Sequence, residues 1–235
     1  MANHTAFLLL NRIFAPMSLR KEVQALIHKD ILLEWRSKAA INSILLYIVS
    51  TIFVCYQAFQ SPESSTWNVL FWIIMLFASV NAINKSFAQE GEGRQLYYYS
   101  IVSAKAVILA KIVYNMGIMV LLTTIAFSFY SLVFGNPVGD PLLYFAAVLL
   151  GAVSFASVFT LVAAISSKAG NNSTLMAVLS FPIIIPLLIV LIKLSKNAMQ
   201  GLERSVSYPE LAVLLAINII TIAVSLLLFP YLWRE

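Results

Sequence analysis

Few residues in this chain have the types and spacing that chemistry requires. The two histidines, His4 and His28, are too far apart in sequence to form a paired metal site. The single cysteine, Cys55, rules out an internal disulfide and a thiolate zinc cluster, and it reads as a small apolar residue of a helix. There is no glycine-rich loop ending in Lys-Ser or Lys-Thr to cradle a nucleotide, no paired-histidine metalloprotease motif and no Gly-x-Ser-x-Gly elbow. No Cys-x-x-Cys-His haem-attachment motif occurs. One stretch does collect polar chemistry: "NKSFAQEGEGRQLYYYS", residues 84–100, places charge, two glycines and three consecutive tyrosines between apolar runs. Glu90, Glu92 and Arg94 supply polar contacts, and Gly91 and Gly93 permit a sharp turn. Leu96, Tyr97, Tyr98 and Tyr99 are of the kind that seat in a partner's pocket. A solvated loop beside an aromatic belt is the plainer reading of the same composition.

The elements that position this stretch belong to a membrane. The 235 residues are 61% hydrophobic and 11% charged, with a mean hydropathy of +0.90, where soluble domains carry about 25% charged residues. Six runs approach the roughly 20 apolar residues that a span needs: 40–59, 67–83, 112–134, 141–165, 174–192 and 211–233. The expected fold is all-α: a polytopic membrane protein with six transmembrane helices and an N-terminal interfacial amphipathic helix. It forms a single domain over 1–235, with the interfacial helix at 18–38 and the polar segment at 85–105.

Charge orients the spans. Of the 15 Lys and Arg residues, all but Lys193, Lys196 and Arg204 fall on one side of such a bundle. The basic side faces the cytoplasm, which puts both termini and residues 84–100 there. The net charge of +5 follows from that topology and calls for no nucleic acid. The apolar stretch at residues 6–10 is too short for a secretory signal. In residues 19–35, Leu19, Val23, Leu26, Ile27, Ile31 and Trp35 recur at helical spacing opposite most of the charges, as suits a helix lying in the membrane interface.

Within the spans, no centre carries Asp, Glu, Lys, Arg or His. A proton- or ion-coupled carrier would be expected to bury one there, so the energy for any transport comes from elsewhere. Pro182 and Pro186 each remove a backbone N–H from the fifth span, so a kink or break is expected there. It would act either as a static packing feature or as a gating bend. The small residues Ala147, Gly151, Ala152, Ser154, Ala156 and Ser157 allow close helix approach in the fourth span, within the chain or at a dimer seam.

The pattern Phe87, Glu90, Glu92-Gly93, Leu96 and then "YSIVSAKAVILAKIV" resembles the cytoplasmic segment of type-2 ABC exporter membrane subunits. More closely, the chain resembles the B subunit of the haem exporter of cytochrome c maturation, the CcmB family. "LIHKDILLEWRSK", with Lys29, Asp30, Glu34, Trp35 and Arg36, is similar to the family's charged pre-span helix. "LMAVLSFPIIIPLLI" is similar to its proline-containing fifth span. The family's Leu-Leu-Ser-Pro is here Tyr98-Tyr99-Ser100-Ile101, without the proline. The resemblance implies a permease subunit of the bacterial inner membrane with no ATPase site of its own. ATP is used only through a separate ABC ATPase subunit, docked on Phe87–Tyr99. A haem-handling membrane protein and a haem carrier are the further partners, and a homodimer in the lipid bilayer is one arrangement. No cofactor is bound covalently, and haem is a candidate substrate. Two alternatives stand beside it: a permease for a lipid, drug or glycan, and a non-transporting membrane scaffold for assembly factors.

Overall fold

The computed structural model describes residues 18–37, 39–88, 102–168 and 173–234. Among them are seven α-helices and one short 3-10 helix, and no strand. They are α1 (Leu19–Ser37), α2 (Ala39–Phe59), α3 (Ser64–Ala88), α4 (Ala104–Phe134), α5 (Pro141–Lys168), α6 (Ser173–Met199) and α7 (Tyr208–Arg234), with the 3-10 turn at Arg204–Ser207. Helices α2 to α7 contain the six segments long and apolar enough to cross a membrane. The expected all-α, six-span fold with an N-terminal helix is what forms.

Two boundaries differ from the sequence reading. The third span begins at Ala104 rather than near residue 112, because Lys111 is paired inside the protein and does not end the apolar region. At 31 residues, α4 is about 46 Å long, longer than the roughly 30 Å hydrocarbon core that an untilted span crosses. The fifth span runs on to Met199, since Lys193 pairs with Glu210 of α7 at 2.7 Å.

Helix α5 is the hub. It packs against α3, α4, α6 and α7, and all six of its small residues named above are buried. Intrachain packing, not a dimer seam, therefore accounts for that pattern. The space over Gly151 is taken by the Trp72 indole, 2.5 Å from where a Cβ would stand. Polar clamps fix the neighbours in register. Asn115 Nδ2 of α4 donates to Thr160 Oγ1 at 2.8 Å. Asn218 Nδ2 of α7 donates to Ser154 Oγ at 2.7 Å, and Asn218 Oδ1 accepts from Ser157 Oγ at 3.2 Å. In a bundle without water, such bonds select helix pairings.

Helix α6 runs from Ser173 to Met199 with Pro182 and Pro186 inside it, so the two prolines do not break the span, although each removes a backbone N–H. Both prolines lie on the exposed face with Val178 and Phe181, so this strip does not wall an internal cavity.

Opposite α1, the bundle end is tied shut. Gly135 ends α4 with a φ of +79°, and its carbonyl accepts from Trp67 Nε1 at 3.1 Å. Tyr130 Oη donates to the Trp67 carbonyl at 2.8 Å inside an aromatic cluster with Phe71, Phe127 and Tyr144. The α4–α5 turn then hydrogen-bonds the α6 terminus: Asp140 N to Ala198 O at 2.8 Å and Gly139 N to Met199 O at 3.2 Å. Asp140 Oδ1 caps α5 by accepting from Leu142 and Leu143, both at 3.1 Å, and its Oδ2 takes Arg204 Nε at 2.7 Å. The Arg204 hydrogen bond, helped by the Leu143 amide, holds the Asp140 carboxyl below its ordinary pKa.

Candidate coupling site

At the other end, α3 stops at Ala88 and α4 starts at Ala104. The polar segment seen in the sequence joins them. Phe87 is the one coupling candidate inside the described residues. Glu90, Glu92, Gly93, Arg94, Leu96, Tyr97, Tyr98 and Tyr99 lie outside them. The structure instead shows what the two ends of that segment are fastened to.

Helix α1 forms where the sequence places it. Ser18 O accepts from the Lys21 and Glu22 amides, Glu22 sits in the first turn and Arg36 in the last, both favourable to the helix dipole. Its side against the bundle is only part of the apolar stripe: Leu26 is buried and Val23 and Ile27 pack against the core. Ile31 and Trp35 are exposed, Trp35 by 75%, where headgroups would meet them. Turned inward is the row Glu22, Leu26, Asp30, Glu34, spaced four apart so that all share one face. Arg36 is exposed and Lys29 partly so.

The acids of that row bind the starts of two other helices, Glu22 and Asp30 that of α4 and Glu34 that of α2. Glu22 Oε2 accepts from Ser103 Oγ at 2.6 Å and Ser103 N at 3.2 Å. Ser103 is in turn the N-cap of α4, accepting from Ala106 N at 3.3 Å. Asp30 Oδ2 pairs with Lys111 Nζ of α4 at 3.2 Å, and its Oδ1 with Lys29 at 3.0 Å. Glu34 Oε1 accepts from Ile41 N at 3.0 Å in the first turn of α2. One helix thus grips the starts of α2 and α4 together.

Lys111 extends the grip to α3. Its ammonium also donates to the Ser86 carbonyl at 3.2 Å and stands 5.7 Å from the centre of the Phe87 ring. The Lys111 and Asp30 side chains are only 5% and 7% exposed, so the pair is desolvated and its geometry matters. Lys85, near the end of α3, donates to Ser43 Oγ of α2. The exit at Ser86–Phe87 and the return at Ser103–Lys111 are therefore joined to each other and to α1. Displacement of the intervening segment would act on α1, α3 and α4 at once.

Sequence reasoning missed Lys111, Ser103, Glu22 and Ser86 as contacts of this junction. Lys111 read as a marker of membrane entry. The available signal was the i, i+4 acid spacing in α1 opposite the lysines that open α4. Among the described residues no cluster of His, Cys, Asp and Glu is arranged to hold a metal ion.

Fold and junction together define a multi-pass helical membrane subunit whose polar machinery lies at one end of the bundle. The chain belongs to the CcmB family: residues 21–232 match the family described as CcmB protein. No match to a curated protein was found. Membership and the six apolar helices support a membrane component of a haem-export ABC system.

Proposed function

We propose that this chain is the permease subunit of an ABC transporter serving cytochrome c maturation. A separate ATPase docks on residues 85–105, and ATP-driven closure of that partner moves the segment. Haem export, or release of a haem carrier held by a haem-handling membrane protein, is the work performed. The subunit sits in the bacterial inner membrane with both termini in the cytoplasm, as its basic residues favour, and pairs with a second copy. The observation that supports the coupling step is the Lys111 knot. Lys111 reaches Asp30 of α1 and the Ser86 carbonyl of α3, at the two roots of the segment that carries Glu90, Glu92 and Tyr97–Tyr99.

The experiment is co-purification of the ATPase with a coupled hydrolysis assay. Truncating a buried aromatic anchor costs about 2 kcal/mol or more, roughly thirtyfold in affinity. Tyr97→Ala/Tyr98→Ala should therefore release the ATPase, while Lys111→Met keeps it bound but uncouples its hydrolysis from the carrier. Glu63→Ala, at the opposite end of the bundle, should do neither. An ATPase that stays bound and coupled in the tyrosine pair would make the segment an ordinary loop.

A further inference from the structure

Between α1, the start of α2 and α4 lies a cavity of about 310 Å³ whose walls include Ile31, Trp35, Ile41, Tyr114, Ile118 and Glu34. That size is at the lower end of the range that binds organic ligands. A water-sized chamber of about 20 Å³ shares Glu34, Ile41, Tyr114 and Ile118 with it and adds the amide of Asn115. The cavity stands beside exposed Trp35 and Ile31, at the level where lipid headgroups meet hydrocarbon. Its wall is apolar except for the Asn42 amide, the Tyr114 hydroxyl and Glu34, whose side belongs to the buried row of α1.

Capping α2 accounts for one Glu34 oxygen, which accepts from Ile41 N at 3.0 Å. It does not account for a cavity this large next to a carboxylate that is only 6% exposed. A buried anion beside apolar walls is complementary to an amphiphile with a cationic, hydrogen-donating end. We infer that this cavity is a binding site for a phospholipid with a primary ammonium headgroup, a phosphatidylethanolamine, whose ammonium donates to Glu34 and whose chains lie along Ile31, Trp35 and Ile118. A choline headgroup has no N–H to donate to the carboxylate. An anionic headgroup meets a like charge, and so do the propionates of haem. The inference requires α1 to lie in the membrane interface but does not require an ATPase partner, so either reading can fail alone.

The test uses the full chain reconstituted in bilayers containing equal parts of phosphatidylethanolamine, phosphatidylcholine and phosphatidylglycerol. Lipids retained after gentle detergent extraction are counted by native mass spectrometry. One phosphatidylethanolamine per chain should be retained. Glu34→Gln keeps an oxygen for Ile41 N and so preserves the cap, but should lower that retention about tenfold, the scale of a charge-assisted hydrogen bond. Ile118→Trp, which fills the cavity and leaves the carboxylate in place, should also shed the lipid. Equal retention of the three lipids overturns the inference. So does undiminished phosphatidylethanolamine in either folded variant.

Discussion

The Asp30–Lys111 pair can be broken from either side, and the two outcomes should differ in a way the geometry sets. Removing one member of a buried ion pair costs about 3–5 kcal/mol, because the other charge is left desolvated. Here the losses are unequal. Lys111→Met leaves Asp30 with Lys29, a partly exposed ammonium at 3.0 Å, so the cost should fall to about 2 kcal/mol. Asp30→Leu takes the Asp30 carboxylate from a Lys111 ammonium that also donates to the Ser86 carbonyl at 3.2 Å beside the Phe87 ring. A carbonyl and a ring offset a desolvated ammonium less than a carboxylate does, so the cost should be about 3 kcal/mol. Lys29, 26% exposed, can turn to water in that variant.

Removing both charges together should recover most of the loss, since apolar residues of similar volume commonly replace a buried pair at little cost. A double variant costing about 2 kcal/mol or less, against singles near 2 and 3, gives a coupling energy of about 3 kcal/mol, at the top of the range for contacting residues. Amide hydrogen exchange over Leu19–Ser37 reads this directly, because these helical bonds open when α1 leaves the bundle. A loss of about 3 kcal/mol is roughly a hundredfold faster exchange. If both singles exchange within about threefold of the unmodified protein, or the double is as fast as the two singles multiplied, the pair carries no joint energy. Lys111 is then not a knot, and the coupling proposal loses its structural support.

Three further outcomes are expected. Cysteine labelling at Asn136 and Lys168, in a Cys55→Ser background, should come from opposite sides of the membrane, because α5 lies between them; labelling of both from one side would overturn the six-span topology. Gly151→Ala should lower stability by about 1–3 kcal/mol. The new Cβ meets Trp72 at 2.5 Å, and that ring is buried and held by its N–H to Ser195 Oγ at 2.9 Å. Trp72→Phe added to it should recover part of the loss in an unfolding measurement, and no recovery would point away from the ring clash. The Asp140 carboxyl titrates below its ordinary 3.8 in the folded state, so its contribution is fully present above that value and is lost as pH falls through the lower, folded pKa. Exchange protection of the Gly139 and Asp140 amides should drop on acidification below 3.8 and become insensitive to acid in Asp140→Asn; unchanged acid sensitivity in that variant would remove Asp140 as the cause.

The spans were legible because a backbone in hydrocarbon must bond to itself, as a helix or a closed barrel, and apolar runs of about 20 residues point to the helix. The small residues of α5 were legible for a related reason. Close approach needs the absence of side chain, which is a property of single positions such as Gly151. The junction was harder to read. Lys111 and Asp30 look like surface charges until α1 is laid against α4; the i, i+4 spacing marks the acids as one face but does not say which distant lysine meets it. Helix α1 has an exposed Ile31–Trp35 side and a buried Leu26–Asp30–Glu34 side. The apolar stripe crosses both, since Leu26 belongs to it, and so does not mark the buried acids.

The same double environment bears on how the subunit works. At the end away from α1, the α4–α5 turn is bonded to the α6 terminus and to Arg204, and Trp67 is bonded on both sides. Those contacts hold four elements in one arrangement. At the α1 end, among the described residues, Glu22 and Asp30 hold α4, Glu34 holds α2, and Lys111 and Lys85 tie α3 to its neighbours. If the proposed ATPase moves residues 85–105, the described elements it reaches first are α1, α3 and α4, through Ser103, Ser86 and Lys111.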